Sequence, residues 1–459
     1  MKRPFFVLAL GAVASAATAA PPREISDGVS EASLRTVVER LVSFGTRHTL
    51  SSQTDPKRGI GAALRWSEAE LRRHSRACRR CLTIVTPSDV VTHERVPTPA
   101  RITNVLAVQR GTTDPRRVVI IAGHIDSRVS DVMNATSDAP GANDDGSGSA
   151  AVIEAARVLS RHKFPATIVY ALLSGEEQGL LGGKLLADHA RAQGWQVMAM
   201  LNNDIIGNSC GSDGVCDAGH VRIFSEGTRA DATPELIAAQ RSHGGENDSP
   251  SRNLARFIDG LADDRGFGLD VRPIWRSDRY ARGGDHLAML EAGFPAVRFT
   301  VAVENYNHQH QDLRVERGVA YGDTIEQMDF AYLAKVVRLN VAALAALARA
   351  PAVPAPVAEG AVSPDTAISW SPVAAAAHYR ISWRPTDAAG WTNSEVVAAG
   401  VNRHVLKGIR VDDWIFGVSA ISADNHESPV ASAVPGGAFG PLPQASPPAE
   451  GTKPQPQRH

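Results

Sequence analysis

Between residues 103 and 204 the chain repeats one pattern. A short apolar run is closed by a polar residue of metal-ligand type, and a stretch of helical periodicity follows. The run 118–122 ends at Gly123-His124, the run 167–173 at Ser174-Gly175 with Glu176-Glu177 behind it, and the run 197–201 at Asn203-Asp204. Helical spacing occupies 149–160 and 179–193, and a further run, 104–108, precedes the series. Parallel strands need long crossover connections, so strands alternating with helices dictate a mostly parallel sheet with helices on both faces. Sheets of this kind place their sites at the carboxyl ends of the strands. His124, Glu176, Glu177 and Asp204 should therefore fall along one edge.

The expected fold class is α/β: a mostly parallel mixed sheet flanked by helices, followed by a small all-β sandwich. At 459 residues the chain exceeds one ordinary domain. Residues 24–95 read as mostly helical, with helices expected over 30–44, capped by Ser30, and over 61–73. Later elements are strands at 221–225 and 296–301, a helix at 234–243 and a long amphipathic helix at 329–348, with Phe330, Leu333, Val337, Val341, Leu344 and Leu347 on one face. Residues 21–350 would form the main domain. Residues 351–363, rich in Pro and Ala, read as a stiff linker. Over 364–434 the period switches to two, as in Tyr379-x-Ile381-x-Trp383, and the expected sandwich resembles a fibronectin type III module. The Pro-rich polar run 435–459 reads as a disordered tail.

Lys+Arg number 48 against Asp+Glu 49, and no basic stripe points to nucleic acid. Residues 1–20 read as a secretory signal peptide: Lys2 and Arg3, an apolar run over 5–13, and a small-residue cleavage site at Ala17-Thr18-Ala19. No later stretch is expected to span a bilayer, so the mature chain should be secreted. The four cysteines fit an oxidising compartment as two local disulfides, Cys78–Cys81 and Cys210–Cys216.

The chemistry centres on the loop Ala139-Pro140-Gly141-Ala142-Asn143-Asp144-Asp145-Gly146-Ser147-Gly148, where glycines permit tight turns and Ser147 or Asp145 can cap the next helix. A carboxylate held here can bridge two metal ions, and the other ligands would be His124, Glu177, Asp204 and His308. Zinc takes imidazole and carboxylate ligands readily. Two Zn²⁺ ions against three carboxylates leave about one positive charge, which a hydroxide would neutralise. In His124-x-Asp126 the acid can accept the free ring N–H of the histidine. His308-Gln309-His310-Gln311-Asp312 offers two histidines.

The ordered set Gly123-His124-Ile125-Asp126-Ser127, Ala139 to Asp145, Gly175-Glu176-Glu177-Gln178-Gly179-Leu180, Asn203-Asp204 and His308-x-x-x-Asp312 resembles the co-catalytic di-zinc aminopeptidase family, which includes secreted bacterial leucyl aminopeptidases, glutamate carboxypeptidases and glutaminyl cyclases. The resemblance covers about residues 100–345. It implies a bridging Asp144, with His124 and Asp204 on one zinc and Glu177 and His308 on the other. Glu176 would be the general base and Asp126 the partner of His124. The family's histidine stands four residues before an Asp, which selects His308 over His310. Tyr280, shortly before Asp285-His286, would lie near the scissile carbonyl, although Gly284 replaces the family's serine and the spacing is one residue longer. Asp285 and His286 can equally be a helix cap and a packed histidine.

The resemblance implies a zinc-dependent exopeptidase that removes N-terminal residues from peptides or proteins through a metal-bridging hydroxide. The chain would act as a monomer on a substrate with a free N-terminus, without nucleic acid, and its C-terminal module could bind a surface or polymer. One alternative is a carboxypeptidase for acidic peptides, drawing cations from Arg276, Arg279, Arg282 and Arg298. The others are a one-zinc glutaminyl cyclase and a receptor-like ectodomain with a dead site.

Overall fold

The computed structural model describes residues 24–442; the expected signal peptide and the end of the expected tail lie outside them. Two N-terminal helices, α1 (Glu31–Val42) and α2 (Ile60–Ala77), lead the chain. Ser30 caps α1, its side chain accepting from the Ser33 amide. Helix does not continue to residue 95. Three strands follow α2: β1 (Thr83–Val85), β2 (Ser88–His93) and β3 (Val96–Thr103). Pro87, between β1 and β2, would break a helical ladder, and β2 and β3 pair instead as an exposed hairpin that buries Val96 and Ile102 against Leu181.

The site-bearing region is β4 (Val105–Gln109), β5 (Asp114–His124), α3 (Gly146–Leu159), β6 (Ala166–Leu173), α4 (Leu181–Ala192) and β7 (Gln196–Asn203). Then come β8 (His220–Phe224), α5 (Pro234–His243), α6 (Pro250–Arg265), β9 (Asp270–Ile274), α7 (His286–Glu291) and β10 (Ala296–Val301). Eight of the strands form one mixed sheet in the order β1-β4-β6-β5-β7-β10-β8-β9. Its centre, β6-β5-β7-β10, is parallel. Side chains alternate across it. Val119 and Ile121 of β5 join a large core with α1, α2 and α3, whereas Val118, Ile120 and Ala122 join a second core with α4 and α7.

A small hairpin, β11 (Arg314–Glu316) with β12 (Val319–Tyr321), precedes α8 (Phe330–Arg349). Contrary to the sequence expectation, α8 is long and apolar enough to cross a membrane by length and composition, but its apolar side chains lie in the large core, packed on α1, α3 and α6. Burying a side chain such as Leu344 there contributes about 1.5–3 kcal/mol. The disulfides Cys78–Cys81 and Cys210–Cys216 are both formed.

The C-terminal strands are β13 (Pro356–Glu359), β14 (Thr366–Trp370), β15 (His378–Pro385), β16 (Asn393–Ala398), β17 (Arg403–Leu406), β18 (Trp414–Ile421) and β19 (Ala431–Ser432). They form two antiparallel sheets around a shared core of Ile368, Trp370, Tyr379, Ile381, Leu406, Phe416 and Val418. Two expected boundaries move. Part of the expected linker is strand β13, because its backbone pairs with the open edge of β14 from Pro356 opposite Trp370 to Glu359 opposite Ala367. The expected tail is packed as far as Leu442: Arg229 donates to the carbonyls of Ala438 and Gly440, and Gln240 to that of Pro435. The sandwich is docked through a buried ion pair in which Arg384 Nη2 lies 2.8 Å from both oxygens of Asp248.

Candidate metal centre

Three of the four central strands deliver a candidate ligand at their carboxyl ends. His124 closes β5, Glu176 and Glu177 follow β6, and Asp204 follows β7. Asp144 comes from the loop before α3. Asp145 caps α3 through the Gly148 amide at 2.8 Å and also accepts the His124 amide at 3.0 Å, which ties the helix start to the strand end. Gly148 must lack a side chain, since a Cβ there would meet the Asn203 carbonyl oxygen at 2.1 Å. The Asp144–Asp145 and Asp204–Ile205 peptides are cis.

The two oxygens of Asp144 face different histidines. Oδ1 lies 3.1 Å from His124 Nε2, and Oδ2 lies 3.0 Å from His310 Nε2. Asp204 Oδ1 is 3.8 Å from His124 Nε2, and Glu177 Oε1 is 3.0 Å from His310 Nε2. The side chains of His124, Asp144, Glu177 and Asp204 are all buried. Glu177 Oε1 is buried and makes no hydrogen bond of good geometry, although the His310 ring nitrogen lies 3.0 Å away. A buried carboxylate oxygen and an imidazole nitrogen set side by side in this way suit a shared cation. The donor set, imidazole and carboxylate, is that of zinc.

His308 is not part of the cluster; His310 takes the place expected for it. Residues 305–309 turn so that the amides of His308 and Gln309 both donate to the Asn305 carbonyl, and His310 then adopts a left-handed φ of 54°. That reversal returns its ring to Asp144. His308 is left half-buried, beside Asn143, Asn208 and Asp323. Tyr280 is also misplaced by the sequence reading: it is 85% exposed. Ala281 has a φ of 54°, and the turn there sends Arg279 and Arg282 to the cleft while Tyr280 points outward, with the Arg276 guanidinium 5.8 Å from its ring centre.

Asp126 is fully buried and works through several contacts. Its carboxylate accepts the Thr49 hydroxyl at 2.9 Å and the amides of Glu176 and Glu177 at 3.3 and 3.1 Å. His124 Nδ1 lies closer to the Asp126 backbone carbonyl, at 3.1 Å, than to its carboxylate, at 3.6 Å. Asp126 thus aligns the strand end with the Glu176-Glu177 turn.

Burial opposes a charge on His124, but Asp126, Asp144 and Asp204 outweigh it and raise its pKa well above the usual value. Burial likewise opposes a charge on His310, and Glu177 and Asp144 lift it to about 10. Burial pushes the Glu176 carboxyl well above its ordinary range, and Asp204 and Glu177 add to the rise. The cleft above, about 430 Å³, is lined by Glu176, Leu180, Arg279 and Arg282 among others.

The profile of peptidase family M28 matches residues 104–316. A probable zinc metalloprotease of Leptosphaeria maculans is 42% identical over 425 residues, 91% of this chain and 98% of that protein. The chain belongs to peptidase family M28. A probable zinc metalloprotease of Pyricularia oryzae is 42% identical over 419 residues, 89% of this chain and 83% of that protein. Among solved structures, LapB from Legionella pneumophila superimposes with a TM-score of 0.51 at 17% identity, covering 70% of this chain and 72% of that one. LapA of the same organism gives 0.50 at 19% identity, covering 71% and 74%. At such identities they share the fold.

Two supports of this M28 centre escaped the sequence reading. Arg47, 1% exposed, donates to the carbonyls of Ile125, Pro140 and Gly141, pinning the loop that carries Asp144 to the end of β5. Asp323 accepts the amides of Asn143 and Asp144. Both lie far from the motifs in sequence, and a charged residue gives no periodic sign that it is buried.

Proposed function

We propose that this zinc metalloprotease of family M28 is an aminopeptidase with two zinc ions per chain, sharing Asp144. The observation that carries the reading is the Asp144 carboxylate, each oxygen turned to a different histidine. His124 and Asp204 would hold one ion and His310 and Glu177 the other. Bound zinc would polarise the scissile carbonyl and acidify water beside it. Glu176, at the cleft, takes a proton from the attacking water and returns it to the leaving nitrogen. Asp126 holds the Glu176 amide and so fixes the base over the centre.

The substrate's free amine would sit against the metal centre at the floor of the cleft, which would restrict cutting to the N-terminal end. The carboxypeptidase reading draws on Arg279 and Arg282 in the same cleft. Those cations are already answered: Arg282 Nη1 lies 2.6 Å from Glu304 Oε2, and Arg279 lies beside Asp278 and Glu304. Aminoacyl p-nitroanilides should be cleaved when the amine is free, should resist cleavage when it is acetylated, and should be spared after chelation. Equal cleavage of acetylated substrates, or a requirement for a free C-terminal carboxylate, would contradict the reading.

The two disulfides support export of the chain to an oxidising compartment. The chain would act there as a monomer, with its sandwich held against the catalytic body and free to meet a surface or polymer on its outer side.

A further inference from the structure

Each of the two carboxylates that flank Asp144 carries its own arginine. Arg128 Nε donates to Glu177 Oε2 at 2.8 Å, and its Nη2 reaches His310 Nδ1 at 2.6 Å. Arg298 is fully buried and sets Nη2 2.8 Å from Asp204 Oδ1, off the line of a hydrogen bond, so this contact is an ion pair. Its Nε donates to the Asp204 carbonyl at 2.7 Å, and Nη1 lies 3.0 Å from both oxygens of Asp278. These are built contacts: the Arg128 side chain is 17% exposed and the Glu177 side chain 5%. The neighbouring segment is stitched as well, because Ser130 hydrogen-bonds to Asp312 on the loop that carries His310.

A guanidinium on one oxygen of a carboxylate has two opposite consequences for a metal held by that carboxylate. It fixes the ligand's orientation, which favours binding. It also draws negative charge away from the ligand and sets a fixed cation close to a divalent ion, which opposes binding. In a buried site the second effect is the larger, since charges a few ångströms apart interact more strongly there than the ordering of one side chain is worth. We propose that Arg128 and Arg298 are positioning residues that hold Glu177 and Asp204 and deplete their charge, so that the metal is bound less tightly and acts as a stronger Lewis acid. This inference rests on the reading of the cluster as a metal centre, and its test does not depend on which peptide is cut.

The test is a zinc titration of the metal-stripped full chain against a chromogenic chelator, with turnover measured in parallel. Arg128→Gln keeps a hydrogen-bond donor and removes the charge. It should bind zinc about tenfold or more tightly than the natural chain and turn over about tenfold or more slowly. Arg128→Lys restores a charge at the same place and should return both quantities toward the natural values. A purely structural residue would lower affinity and turnover together. Unchanged or weaker zinc binding in Arg128→Gln, or an Arg128→Lys chain as tight as a charge-free one, would overturn the proposal. If aminoacyl substrates are not cleaved at all, the titration still decides it.

Discussion

Single side chains of the centre and its surroundings should have separable effects. Glu176→Gln should fold and retain zinc yet lose about 10²–10⁴ in turnover; steady-state rates beside zinc content would check it. His310→Ala should lose zinc, whereas His308→Ala should keep most of it, because only His310 reaches Asp144 and Glu177. Metal analysis of the two purified variants decides between them. Glu226 lies outside the centre, and burial raises its pKa from 4.5 to about 7. An acid whose folded pKa is raised binds more protons when folded, so its contribution falls as pH rises from about 4.5 to about 7. Glu226→Gln should therefore gain about 2–3 kcal/mol relative to the natural chain on going from below that window to above it, read by denaturant unfolding at both ends. The residues legible in the sequence were those at strand ends, where His124, Glu176, Glu177 and Asp204 follow apolar runs. His310 and Tyr280 were not legible, because left-handed turns at His310 and Ala281 decide which neighbour faces the site, and side-chain spacing carries no record of them.

At the scale of elements, the sheet was readable because β5, β6, β7 and β10 are buried on both faces, and such strands are continuous apolar runs. The β2–β3 hairpin was not: it is short, mostly exposed and lacks an apolar run. Helix α6 was passed over although Ser249 caps it and Pro250 opens it, since many polar residues on its exposed face dilute the period. The connections between elements matter as much as the elements. Arg47 spans from the end of α1 to the Asp144 loop, and Arg47→Met would leave several buried carbonyls without donors. It should cost about 3–5 kcal/mol of stability, measured by chemical denaturation of the metal-free chain.

For the whole molecule, the sandwich belongs to the folded unit. Asp248 accepts from Arg384 and also from Ser432, and Asn253 of α6 donates to the Ser432 hydroxyl. Arg384→Ala leaves Asp248 buried with much of its charge unanswered, and breaking such a pair costs about 3–5 kcal/mol. Calorimetry should show one unfolding transition for the natural chain and two for the variant. The cleft faces other elements, so zinc content should be unchanged in that variant.

Asp144 should hold two divalent ions side by side. A crystal of the zinc-loaded chain, with anomalous scattering recorded at the zinc edge, tests it directly. Two peaks about 3.5–4 Å apart are expected, one between Asp144, His124 and Asp204 and the other between Asp144, His310 and Glu177. A single peak, or a peak coordinated by His308, would contradict the account.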